Sequence, residues 1–396
     1  MIDKVKRKDP LENIIRIVGM FLFLWLFLLS IKLLGGTFKH YFSDDTANLI
    51  KNATDNPLVS LFIGILSTAI IQSSSSTTSI IVAFVGAGTL SLHNAIPMIM
   101  GANIGTSITG ILVSFGQMRN RMEFNRSFSA AIVHDYFNWF AVLLFLPLEI
   151  ITGKFWDGKG ILERSSEFLT KIFVGASGVK FDSPLDAVVK PIAHKIEFFI
   201  ADILGNPITE HTIGNKTQSF PQYDGILLTI MVILSLVLLF IALNYMSVIM
   251  KKILIGKFER IIHKYVFNQA ATALLFGILF TVSVQSSSIT ISLVVPLVGA
   301  GIFSMEQIFP YAVGANIGTT ITGILAAMVT GNASGISIAL VHTLFNVFAA
   351  FIFIPLKAIP IGAARWFASK AGQNKFWAIG YALVVFFIIP IIIIFS

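Results

Sequence analysis

The chain has no cysteine, so neither a disulfide nor a thiolate-bound metal can hold it together. Charge is scarce as well. Asp, Glu, Lys and Arg make up 12% of its 396 residues, about half the share of roughly 25% usual in a soluble domain. With 55% hydrophobic residues and 36 phenylalanines, that deficit argues against a water-soluble core and for an integral membrane protein. Catalytic signatures are missing too. No Gly-x-Ser-x-Gly elbow and no His-Glu-x-x-His pattern occurs, which leaves hydrolase chemistry without its parts. The net charge of +8 is spread between apolar segments. It reads as charge that orients a chain in a membrane, and no nucleic-acid partner is expected.

What is present is a series of long apolar runs. The first, Ile14 to Gly36, follows "KVKRK". It is longer than the ~7–15 residues of a signal-peptide core and has no small-residue cleavage site, so it reads as an uncleaved span. Further runs of about 20 residues, enough to cross a bilayer, lie near 94–115, 127–149, 224–248, 305–329, 335–357 and 376–395. Two regions differ, 57–90 and 269–302. Each has two apolar halves, too short to span alone, around a polar break: "QSSSSTTS" from Gln72 and "QSSS" from Gln285.

Basic residues mark the sides. Residues 1–9 hold four basic and two acidic side chains, 116–126 three and one, 251–264 five and one, and 357–375 four and none. Residues 38–56 hold two basic and three acidic, and 153–222 hold eight of each. The positive-inside rule therefore predicts a multi-pass protein with a cytoplasmic N-terminus. The alternation requires each Q-S-S-S region to enter and leave on one side, as a re-entrant hairpin.

The chain is duplicated. Residues 72–88 and 285–301 align without a gap with 11 of 17 identical, and 97–112 and 310–325 with 12 of 16 identical. The second pair contains Gly-Ala-Asn-Ile-Gly-Thr in both copies. Further on, "IVHDYFNWFAVLLFLPL" from Ile132 matches "LVHTLFNVFAAFIFIPL" from Leu340. With the first copy starting in the cytoplasm and the second outside, the copies have opposite topology, a transporter architecture. The expected fold is an all-α integral membrane protein of two inverted-topology repeats, each with a re-entrant helical hairpin and a broken helix. The repeats span 1–152 and 223–358. Residues 153–222 form an external linker with amphipathic helices, and 359–396 a C-terminal connection and last span.

A helix break inside a membrane is tolerated where it lines a cavity. It exposes N–H groups at one half-helix start, which suit an anion. Hydroxyl, amide and carbonyl oxygens beside them suit an alkali cation. Small-residue packing is the plainer explanation of a lone Ser-Ser pair, but paired Gln-Ser-Ser-Ser and Gly-Ala-Asn-Ile-Gly-Thr at identical spacing favour a transport site.

At these motifs, and at "VHDYFNW" from Val133, the chain resembles the type II sodium-dependent phosphate cotransporters. The resemblance implies symport of inorganic phosphate with sodium, no cofactor beyond that coupling ion, and no enzymatic activity. It implies phosphate at Gln72, Ser73, Ser74 and Ser75 with Gln285, Ser286, Ser287 and Ser288. Neighbouring oxygens, on Ser76, Thr77, Asn103, Thr106, Thr290, Asn316 and Thr319, are the candidate sodium ligands. Asp135, the one carboxylate well inside a span, is either an ion ligand or a structural acceptor. Arg121 and Arg126 either attract phosphate at the cytoplasmic mouth or anchor the loop. Animal members carry a sodium-linked aspartate where Asn120 aligns, which implies little current per cycle here. Short loops and the lack of cysteine suggest a bacterial-type member in the inner (plasma) membrane, in contact with lipid. A sodium-coupled carboxylate transporter and a channel are the alternatives.

Overall fold

The computed structural model of the chain describes residues 10–41, 53–174, 184–213, 216–222, 224–261 and 269–396. α1 (Pro10–Tyr41) is followed by a short pair, α2 (Pro57–Ile71) and α3 (Ser74–Ala87), then by α4 (Leu92–Phe115) and α5 (Arg121–Phe155). α6 (Ile161–Val174), α7 (Pro184–Leu204) and the strands β1 (Ile208–Ile213) and β2 (Lys216–Pro221) lead to α8 (Gly225–Ile261). The order then recurs: a short pair, α9 (Ala270–Val284) and α10 (Ser287–Gly299), then α11 (Met305–Thr330) and α12 (Ala333–Phe353). α13 (Ala358–Gln373) precedes the last span, where α14 (Phe376–Leu383) and α15 (Ile389–Phe395) are joined by a π-helical turn, Val384–Ile388.

Seven helices among the described residues are long and apolar enough to cross a membrane. They coincide with the seven runs read from the sequence. Both Q-S-S-S regions are pairs of short helices broken at the polar run. The fold is all-helical apart from one short hairpin among the described residues: β1 and β2 pair antiparallel, with Ile208 opposite Pro221 and Ile213 opposite Lys216. The stretch Ile208-Thr-Glu-His-Thr-Ile213 is rich in β-branched residues, which favour a pleated strand. The 357–375 connection is also more than a loop, since α13 forms within it and packs on α5.

The start of the 153–222 segment docks on the bundle through α6. The Glu149 carboxylate accepts the N–H groups of Leu162 (2.6 Å) and Glu163 (3.0 Å), closing the start of α6. Thr170 Oγ1 lies 2.8 Å from Ser337 Oγ on α12. α6 thus buries Glu163, Ser166 and Thr170 beside Leu162, and turns Phe168, Ile172 and Phe173 outward with Arg164 and Lys171. Such a face suits lipid better than water.

Glycine sets the closest packing. α2 lies on α4 and α9 on α11 at backbone distance. A methyl group on Gly64 would stand 2.1 Å from the Met98 carbonyl oxygen, and one on Gly101 2.0 Å from that of Leu61. In the second half, Gly277 and Gly314 would each clash at 2.2 Å, with the carbonyls of Tyr311 and Leu274. The first glycine of each Gly-Ala-Asn-Ile-Gly-Thr segment is therefore a packing residue, as small residues between membrane helices often are. The helices beyond the breaks pack differently. α3 lies against α11 and α12, and α10 against α4 and α5. Each half lends its post-break helix to the other.

Candidate functional site

Each break is one left-handed residue followed by one extended residue. Gln72 has φ 59° and ψ 22°, and Gln285 φ 58° and ψ 24°. A non-glycine residue in this region costs roughly 1–2 kcal/mol, so something must hold it. The glutamine does so with its backbone N–H and both ends of its side-chain amide. Its backbone N–H donates to the carbonyl four residues back, Gln72 to Thr68 (2.8 Å) and Gln285 to Thr281 (2.7 Å). Its Nε2 donates to Ala69 (2.6 Å) or Val282 (2.7 Å). Its Oε1 accepts the hydroxyl of Thr109 (3.0 Å) or Thr322 (2.7 Å).

The next serine starts the second helix. Ser73 Oγ accepts the N–H of Ser76 at 3.2 Å, and Ser286 Oγ that of Ile289 at 3.3 Å. A helix start has about four N–H groups without an intrahelical partner, and such a cap takes one. The two starts meet: Ser75 Oγ donates to the Gln285 carbonyl at 3.0 Å. Together they line a cavity of 520 Å³, walled on one side by Phe240, Leu243, Asn244 and Ser247 of α8. Among the described residues, no ionisable side chain lines it. Two helix-dipole ends make it favourable to an anion without a fixed cation.

Of the eight break residues expected at phosphate, Gln72, Ser73, Ser75, Gln285, Ser286 and Ser288 line this cavity. Ser74 and Ser287 are buried in the first turns of α3 and α10 and do not line it. Arg121 is exposed in the first turn of α5 and is not part of the lining. Asn120 caps that same helix, accepting from the N–H groups of Met122 (3.0 Å) and Glu123 (3.4 Å).

The sodium candidates divide into two groups. Ser76 is at the cavity, its Oγ 2.9 Å from Ser73 Oγ. Thr77 and Thr290 donate to the carbonyls of Ser73 (3.1 Å) and Ser286 (2.8 Å), and Thr106 and Thr319 to those of Ala102 (2.9 Å) and Ala315 (3.0 Å). The asparagines lie in a separate buried network that crosses the halves. His134 Nε2 is 2.5 Å from Asn316 Oδ1, Asn316 Nδ2 donates to Asn138 Oδ1 (2.7 Å), and Asn138 Nδ2 donates to the Asn103 carbonyl (2.9 Å). Asp135 is fully buried and accepts the hydroxyl of Tyr381 from the last span. His134 and Asp135, adjacent in sequence, therefore engage different helices and form no catalytic pair.

A family model described as Na+/Pi-cotransporter matches residues 26–146 and 238–389. The chain belongs to that family. The two matched blocks hold both breaks and both Gly-Ala-Asn-Ile-Gly-Thr segments. Among its relatives, sodium-dependent phosphate transport protein 2B of Homo sapiens is 32% identical over 454 residues, covering 96% of this chain and 65% of that protein. Protein 2A of Rattus norvegicus is 30% identical over 426 residues, covering 96% of this chain and 67% of the relative. The chain thus spans about two thirds of the length of the relatives it matches. No solved structure matches it.

Some residues of this family member's site escape a sequence reading. Thr109 and Thr322, which hold the glutamines, were within reach, because both lie in the duplicated block. Asn244 and Ser247 were not duplicated. Their signal is a polar pair three residues apart on a mostly apolar span, with Ser247 Oγ donating to the Val284 carbonyl at 3.2 Å.

Proposed function

We propose that this chain is a sodium-coupled symporter that imports inorganic phosphate by alternating access. Phosphate and sodium bind in the cavity between the two Q-S-S-S hairpins, which enter the membrane from opposite faces as parts of two inverted repeats. The N-terminus and the basic loops lie in the cytoplasm of a plasma (inner) membrane. The observation that carries the reading is the meeting of two capped helix starts at one cavity with no ionisable lining among the described residues. The names of the relatives, sodium-dependent phosphate transport proteins, support the choice of ligands. Phosphate carries one to two negative charges at neutral pH, and burying it unpaired would cost several kcal/mol. Sodium therefore binds first, at the serine and threonine oxygens, and completes the phosphate site. Asp135 and the paired asparagines add sodium ligands outside the cavity, and Arg121 approaches phosphate only if its loop folds inward.

Labelled phosphate uptake into proteoliposomes tests this. Accumulation should require inward sodium and resist competition by dicarboxylates. Accumulation driven equally well by a potassium gradient, or uptake blocked by dicarboxylates at concentrations where excess phosphate is inert, would refute it.

A further inference from the structure

The two histidine–asparagine contacts are equivalent in sequence but not in bonding. On the His134 side the ring and the asparagine amide are both served, and the one orphaned oxygen nearby is a carboxylate oxygen, Asp135 Oδ1. Nε2 faces an acceptor, Asn316 Oδ1, at 2.5 Å, so Nε2 carries the hydrogen and Nδ1 is a bare lone pair. Ser107 Oγ, 3.4 Å away, offers it a hydroxyl. Asn138 Oδ1 accepts from Asn316.

On the His342 side, Nε2 again faces an acceptor, Asn103 Oδ1, at 3.4 Å, which leaves Nδ1 as a lone pair. The residue matching Ser107 is Thr320, and its hydroxyl donates to the Ile317 carbonyl at 2.8 Å. His342 Nδ1, Asn346 Oδ1 and Thr78 Oγ1 are all buried, and none has a hydrogen-bond partner. These atoms belong to one neighbourhood. Asn346 Nδ2 donates to the His342 carbonyl at 2.9 Å, and a methyl group on Gly323 would lie 3.3 Å from Thr78 Cγ2 and 3.9 Å from His342 Nδ1. In the first half, the matching glycine is Gly110, and a methyl there would lie 3.3 Å from Ile291 Cγ2. Ile291 is the repeat mate of Thr78. Both side chains turn Cγ2 toward the matching glycine, so the unserved Thr78 hydroxyl corresponds to the Cγ1 methylene of Ile291.

A buried polar group without a partner costs about 1–3 kcal/mol, and three together call for a ligand. His342 Nδ1 and Asn346 Oδ1 are acceptors only, and the Thr78 hydroxyl can turn its lone pairs toward them, an arrangement that favours a cation over an anion. With no carboxylate among them, and no cluster of three His, Cys, Asp or Glu among the described residues, the ligand is monovalent. We infer that Thr78 Oγ1 and Asn346 Oδ1, with the His342 Nδ1 lone pair at the edge, bind an alkali cation at a site separate from the Q-S-S-S cavity. The inference rests on sodium being the coupling ion, and it adds a site in one half only.

The test is thermal unfolding of the purified full chain against sodium chloride, with potassium chloride holding ionic strength and phosphate absent. Ligand bound to the folded state raises the unfolding temperature. Thr78→Val should move the sodium midpoint up by about tenfold, the lower end of what loss of a metal-site partner costs, and Thr78→Ser should restore it. Asn346→Asp puts a carboxylate among the lone pairs, so its unfolding temperature should depend on sodium more steeply than the wild type. If Thr78→Val fails to fold, Asn346→Asp decides alone. Midpoints within twofold of wild type in both variants would mean that water fills the site, and would overturn the inference. Failure of the transport reading looks different: the wild-type chain would then take up no phosphate with sodium, whatever sodium does to its stability.

Discussion

Gln72 and Gln285 occupy a backbone region that glycine enters without strain. A glycine could turn the chain, but it could not tie the turn to the next long helix, as these amides do through Thr109 and Thr322. The sequence made the break legible, since polar residues between two half-length apolar runs have few other uses. It did not show that the glutamine amides are spent on holding the break, because each threonine lies 37 residues away. Thr322→Val keeps the shape and removes the donor to Gln285. It should lower stability by about 1 kcal/mol and weaken phosphate and sodium together, since linkage makes their coupling reciprocal. Gln285→Ala should do the same more strongly. Uptake titrated with each ion is the measurement, and a shift for phosphate alone would contradict joint binding at the break.

At the scale of elements, the spans were readable to within a few residues because a bilayer fixes their length. The β1–β2 hairpin and α13 were not, because they lie in stretches without a long apolar run. α6 was legible as an amphipathic helix, but not which of its faces turns inward. Its buried residues are Leu162, Glu163, Ser166 and Thr170. The glycines of Gly-Ala-Asn-Ile-Gly-Thr were legible as sites of close approach, but their partners were not. The pairings Gly101–Leu61 and Gly314–Leu274 predict that Gly101→Ala or Gly314→Ala will cost at least ~1–3 kcal/mol by overpacking. Gly380, with nothing within 4 Å of an added methyl group, is the control, and Gly380→Ala should unfold in detergent with the wild type. Equal unfolding temperatures for all three variants would mean that the helices can separate at no cost.

At the scale of the molecule, the duplication is visible in sequence, but the exchange of α3 and α10 between the halves is not, because it depends on contacts between residues some 200 positions apart. That exchange brings both helix starts to one cavity. It also packs each half against the helix that follows the other half's break. The chain lacks cysteine, so single cysteines introduced at Ser75 or Ser288 are clean reporters of the cavity. The most direct measurement is thiol modification of Ser288→Cys in proteoliposomes, followed by phosphate uptake. Modification should abolish uptake, and sodium with phosphate together should protect the thiol far better than either ion alone. Modification that leaves sodium-driven uptake intact, or a labelling rate indifferent to both ions, would show that the cavity between the hairpins is not the transport site.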